Sequence, residues 1–134
     1  MQYERRFTYI KMETHKGDNV NLIVQQFGHS LGLFNQRDKE SSCFRIFIAL
    51  LKAAKADEKI SSQELAFRTS LTRGTAVHHL NRLIEAGIVD VKQNRYFLRA
   101  DNLKQLVSIV EKDTEEIIKE IKELAEKIDK ELGI

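Results

Sequence analysis

Residues 61–99 read SSQELAFRTSLTRGTAVHHLNRLIEAGIVDVKQNRYFLR, and this stretch decides the fold. Ser61 and Glu64 have the spacing of a capping box, in which the serine oxygen accepts from a free amide and the glutamate reaches back. Leu65 and Ala66 are the inward positions of a short helix, and the small Ala66 permits a close helix crossing. Ser70, Leu71 and Thr72 make a turn, after which the Thr72 hydroxyl can cap a second helix. On that helix, expected over residues 72–87, Ala76, Leu80, Leu83 and Ile84 recur on one face. Gly87 ends it, because glycine takes positive φ freely. Ile88–Val91 and Arg95–Leu98 are rich in β-branched, aromatic and other apolar residues and read as strands, with Gln93-Asn94 as their turn.

Two crossed helices followed by a hairpin make a winged helix-turn-helix, whose second helix enters the DNA major groove. The segment LTRGTAVHHLNRLIEAGIV (71–89) resembles the recognition helix and wing entry of the ArsR and MarR broad group of winged-helix transcription regulators. The resemblance rests on Leu71, Thr72, the His79-Leu80 pair, Leu83 and the run from Glu85 to Val89. It implies a DNA-binding regulator. Ser70 stands where many such motifs place glycine, and the wing has almost no loop.

Length and charge agree with a modest regulator. At 134 residues the chain is one domain with room for a core, extended by a helix. Residues 1–110 hold 17 Lys/Arg against 11 Asp/Glu, while residues 111–134 hold 5 against 9. A basic body suits phosphate, and the acidic end suits some other contact. The one cysteine, Cys43, excludes an internal disulfide and points to a reducing cytoplasm. No signal peptide and no membrane-spanning apolar run is read. Proline is absent, so helices run without forced breaks.

Upstream, Asp18 or Asn19 starts a helix whose stripe is Val20, Val24, Phe27, Leu31 and Phe34. Asn35–Asp38 breaks it. Asp38 or Ser41 then caps a helix with Phe44, Phe47, Ile48 and Leu51 inward, and Ala53–Lys59 is a polar connection. In Met1–His15, Phe7 and Tyr9 alternate with Arg6 and Thr8 as in a strand, which can pair with the wing sheet or a second subunit. Arg5 and Arg6 also suit a basic arm on DNA.

From Asn102 to Leu132 nothing interrupts a helix of about 45 Å. Val110, Ile117 and Leu124 repeat every seven residues, Thr114, Ile121 and Ile128 fill the complementary set, and Leu103 and Val107 extend both. Leu106, Ile118, Ala125 and Leu132 widen the stripe. Such a helix folds back on its own domain or pairs with its twin, and a homodimer is the favoured reading. Its expected seam is Leu103, Leu106, Val110, Thr114, Ile117, Ile121, Leu124 and Ile128.

The expected fold is therefore mainly α: a winged helix-turn-helix over residues 1–100 with a short two- or three-stranded β wing, then a long C-terminal dimerisation helix over 101–134. The expected function is a dimeric, sequence-specific regulator of double-stranded DNA that reads an inverted repeat. Arg73 and His78 are expected at base edges, with Thr75 near a thymine methyl. Thr72, Arg82 and the amides of Ser62 and Gln63 suit phosphates, as do Lys92 and Arg95 at the wing tip. His79 is expected to pack rather than to read bases. The alternative is a winged-helix protein-interaction module of a larger assembly. The polar face of residues 72–82, with two arginines and no acid, favours DNA. Catalysis is not expected. Neighbouring histidines point about 100° apart on a helix and chelate poorly. No cysteine or histidine spacing suits zinc, and no glycine-rich phosphate loop is present, so no metal, cofactor or catalytic residue is assigned. The operator, the sense of regulation and any small-molecule effector are not encoded legibly.

Overall fold

A computed structural model describes residues 4–11, 19–34 and 41–134. Their elements are α1 (Val20–Ser30), α2 (Ser42–Lys55), β1 (Ile60–Ser61), α3 (Ser62–Thr69), α4 (Arg73–Glu85), β2 (Val89–Lys92), β3 (Arg95–Leu98) and α5 (Leu103–Leu132). Asp18, Asp38, the break at 35–38 and part of the expected N-terminal strand lie outside the described residues.

The core forms around α2. Cys43, Ile46, Phe47, Leu50 and Ala53 are buried, and α2 touches α3, α4 and β3. The expected inward set is corrected here: Phe44, Ile48 and Leu51 are half-buried, and the buried face is displaced toward Ile46 and Leu50. The reason is that α2 is covered from two sides. Phe27 and Phe34 close over Phe47 with ring centroids 6.1 and 6.0 Å away, and Phe34 meets Phe44 at 5.5 Å. Ser41 stands at the N-cap with φ 52° and makes no side-chain cap bond, so the expected serine cap is absent.

Helix α1 is shorter than its apolar stripe. Asn19 caps it by accepting from the Asn21 amide at 2.9 Å, and it stops at Ser30. Leu31 and Phe34 therefore reach the core from the following turn, and Val20 is exposed rather than inward. Two glycines make this turn possible. A Cβ on Gly28 would lie 1.9–2.4 Å from the Phe34 ring, and Gly32 has φ +70° with the Thr8 carbonyl 2.4 Å from where its Cβ would be. Gly28 thus makes room for a ring and Gly32 for the backbone at Thr8.

The sheet has the order β1-β3-β2, with both pairings antiparallel. The third strand comes from residues 60–61, between the stretch read as a connection and the first helix of the pair, and not from the N-terminus. Residues 4–11 form no strand. They run as a strap: the Arg6 amide donates to the Glu85 carbonyl at 2.8 Å, and the Ile10 amide to Ser30 at 2.9 Å. The Arg5 guanidinium donates to the Ile84 carbonyl. Carbonyls at a helix C-terminus lack helical partners and carry partial negative charge, so the arginine suits that end. Arg5 is thereby turned toward the protein rather than held out as an arm for DNA.

The long helix divides in two. Asn102 caps α5 by accepting from the Gln105 amide at 2.9 Å. Leu106 and Val110 are buried in the core of their own protomer, so these two expected seam residues are already covered. Arg99 fixes this half, pairing with Asp113 at 2.7 Å and donating to the Gly87 carbonyl at 3.0 Å. From Ile118 to Leu132 every residue is exposed.

Replacing Gly28 with alanine is expected to lower stability by about 1–3 kcal/mol through overpacking against Phe34. A reduced urea midpoint with unchanged m value reports it. An unchanged midpoint would show that the ring yields without cost.

Candidate nucleic-acid interface

The turn between α3 and α4 sets the interface. The Ser61 hydroxyl accepts from the Glu64 amide at 3.1 Å, forming half of the expected capping box. The Glu64 carboxylate turns the other way and binds Arg68 at 3.0 Å. Glu58 holds the same guanidinium at 3.0 Å, and both carboxylates push its pKa up. Arg68 is thereby neutralised locally. Ser70 takes φ 57°, the left-handed turn where glycine is common in such motifs.

Thr72 caps α4, its hydroxyl accepting from the Thr75 amide at 3.2 Å and lying 2.9 Å from the Thr75 hydroxyl. Ala76, Leu80, Leu83 and Ile84 are all buried, as their spacing predicts, and His79 is buried beside them. With 100° between successive residues, the opposite face carries Gly74, His78, Asn81 and Glu85, flanked by Thr75 and Arg82. Gly74 and His78 are exposed, and a Cβ added to Gly74 would meet nothing within 4 Å.

The expected contact residues fall into three groups. Arg73, Thr72 and Thr75 gather at the start of α4, where the Arg73 Nε lies 3.4 Å from the Ser62 hydroxyl. Ser62 is buried, so it supports Arg73 rather than presenting an amide outward, while Gln63 is exposed. Lys92 and Arg95 face one another across the two-residue hairpin, both exposed. Gln93 and Asn94 have φ of 53° and 61°, the paired positive values of a tight primed turn. Arg82 is apart from both, half-buried near the C-terminal end of α4. It lines a cavity of about 220 Å³ with Arg6, Thr8 and Cys43.

One cation was not legible as part of this surface. Lys59 lies beside the wing, its ammonium 4.6 Å from the Phe97 ring centroid, and its carbonyl accepts from Arg95 at 3.3 Å. Its signal is the third strand, which brings residue 59 next to residue 95. The wing edge thus carries Lys59, Lys92 and Arg95.

Residues 48–90 match the family model described as winged helix-turn-helix DNA-binding. No curated protein and no solved structure matches the chain. The chain carries a winged helix-turn-helix DNA-binding domain, on the match and on the observed order of α2, α3, α4 and hairpin. The ArsR/MarR likeness remains a resemblance of residues 71–89. Among the described residues no helix is long and apolar enough to cross a membrane, and no three metal-binding side chains cluster.

Thr72→Ala is expected to cost about 1 kcal/mol by leaving the start of α4 uncapped. Gly74→Ala is expected to leave stability unchanged or raise it by up to about 1 kcal/mol, since the added methyl enters open space. Thermal unfolding of both variants measures this, and a destabilised Gly74→Ala would mean that the site is not open.

Proposed function

We propose that this protein is a dimeric, sequence-specific transcription regulator that reads an inverted repeat through α4. The observation that carries this reading is the outer face of α4. It presents Arg73, Thr75 and His78 with no acidic side chain until Glu85. Arg73 is the base reader by chemistry, because its fork matches the O6 and N7 acceptors of guanine. His78 is exposed further along α4, and Thr75 is half-buried near its start. Gly74 lies among them and leaves room for a close approach by a groove wall. Thr72, Gln63 and Arg82 flank this face as phosphate contacts, and Lys59, Lys92 and Arg95 extend them along the wing edge.

The dimer is supported by α5, whose exposed half has an apolar stripe with no cover among the described residues. Two recognition helices related by a two-fold axis meet successive major grooves about 34 Å apart, which specifies an inverted repeat. A small-molecule effector is not part of the proposal.

One observation favours the protein-docking alternative: Phe67 is 81% exposed on the outer side of α3. A large bare ring suits a protein contact. Its location on the helix that precedes the recognition helix leaves the polar face of α4 unaffected.

Selection from random-sequence duplex DNA, followed by anisotropy across a salt series, tests the proposal. Four cations per protomer give about eight phosphate pairs per dimer and a slope of log K against log salt near −7. Enrichment of an inverted repeat is expected. Negligible binding at low salt would sink the DNA reading and leave the docking alternative. Arg73→Ala should fold normally and weaken specific binding by about 1–3 kcal/mol while leaving non-specific binding close to its original value. Unaltered specific affinity would remove Arg73 from the interface.

A further inference from the structure

A large cavity lies away from the DNA face. It is an open groove of about 710 Å³ between α5 and the strap. Its α5 wall runs from Val107 to Lys122, and its other wall is Tyr9, Ile10, Ser30 and Leu31. Tyr9 closes one point by a hydrogen bond to the Thr114 hydroxyl. Burial raises the Tyr9 pKa, opposed by that bond and assisted by the Asp113 charge. The phenol therefore stays neutral and adds no charge to the groove.

The exposed half of α5 offers a seam of its own. Leu106 and Val110 are buried and Ile117 is half-buried, so that side of the helix is closed to a second chain. The open side follows Ile118, Ile121, Ala125, Ile128 and Leu132, at alternating steps of three and four. Its four large residues are 47%, 53%, 56% and 67% exposed. This is a heptad seam displaced by one position from Ile117 and Leu124, and it continues from the groove wall at Ile118.

We propose that the groove of each protomer receives the outer half of α5 from a second copy, antiparallel, with Ile118 against the partner's Ile121. The inference rests on the dimer proposed above and assigns its geometry. The two-fold axis then passes between residues 119 and 120. Ala125 meets the partner's Thr114, and Leu132 meets the partner's Val107. The lengths agree: residues 118–132 span about 22 Å and the α5 wall of the groove about 24 Å.

Charge selects this register. Glu115 and Lys122 both line the groove beside the seam. With Ile118 against the partner's Ile121, Glu115 faces the partner's Lys122, and the symmetry repeats the pair. A slip of one heptad toward the helix end sets Lys122 against the partner's Lys122 and Glu115 against the partner's Asp129. The opposite slip sets Glu115 against the partner's Glu115. On the body side of the seam Ile117 meets the partner's Leu124, apolar against apolar. A parallel pair would leave the groove empty.

The test is a chain carrying V107C and L132C, oxidised at a concentration where its mass is measured by sedimentation, with linked peptides mapped by mass spectrometry. The two positions are about 37 Å apart along one helix, beyond any disulfide within a chain. Cys43 is buried and stays out of the reaction. The expected product is a dimer linked from residue 107 to residue 132. A dimer linked 107 to 107 or 132 to 132, or one that does not cross-link, overturns the register and keeps the dimer. A monomer overturns both. Independently, E115K and K122E should each weaken dimerisation about tenfold, and the combined E115K/K122E chain should recover it. Failure of the combination to recover would also overturn the register.

Discussion

Everything on the candidate DNA face depends on the burial of Ile46, Phe47 and Leu50 beneath α3, α4 and β3. Full burial of each such side chain contributes about 1.5–3 kcal/mol, which makes α2 the element least able to shift. Ala66 and Ala76 are buried on the two helices that cross above it, and their small side chains bring those helices close. Once Leu80, Leu83 and Ile84 are committed to this core, the outer face of α4 is decided by subtraction. His78 and Gly74 are exposed because they lie opposite the buried stripe.

The ends of α4 are held by different chemistry. Its start is polar and local: the Thr72 cap and the Arg73–Ser62 contact join it to α3. Its end is held from far away in sequence, by Arg5 and Arg6 on the last carbonyls and by Phe7 beside Gly87. The same strap continues to Thr114 through Tyr9, and Arg99 joins the Gly87 carbonyl to Asp113. Two short routes thus fix α5 relative to the recognition helix. In the proposed dimer, the separation of the two α4 helices is then a consequence of where the two α5 helices cross, not of anything in the wing.

Much of this was legible because the chemistry is local. The cap at Thr72, the turn at Gln93-Asn94 and the buried stripe of α4 each depend on residues a few positions apart. What was not legible depends on distant partners. No local pattern marks Ile60-Ser61 as a strand, since two residues carry no period, and the pairing with Arg95 and Tyr96 exists only after the hairpin forms. Residue 59 becomes part of the candidate interface for the same reason. The face of α2 was misjudged because Phe44, Ile48 and Leu51 are apolar yet lie at the margin of a core closed from two sides. The roles of Gly28 and Gly32 require knowing that Phe34 and Thr8 come to rest against them.

The C-terminal helix shows the limit most clearly. Its apolar stripe is wide enough to complete the line of Ile121 and Ile128 with either Ile117 and Leu124 or Ile118, Ala125 and Leu132, and periodicity weighs these equally. The body breaks the tie. By covering Leu106 and Val110 and half-covering Ile117, it removes the first two heptads of one seam and leaves Ile118, Ile121, Ala125, Ile128 and Leu132 as an unbroken line. A helix that packed wholly on its own domain would need no such line over its last four turns, where only i,i+4 pairs such as Glu126–Lys130 support it in isolation. Those pairs contribute a few tenths of a kcal/mol each. They stabilise the helix but give no reason for isoleucine and leucine at those heptad positions. In the proposed dimer a partner accounts for the apolar seam, and the charges at Glu115 and Lys122 confine the ways in which a second copy can supply it.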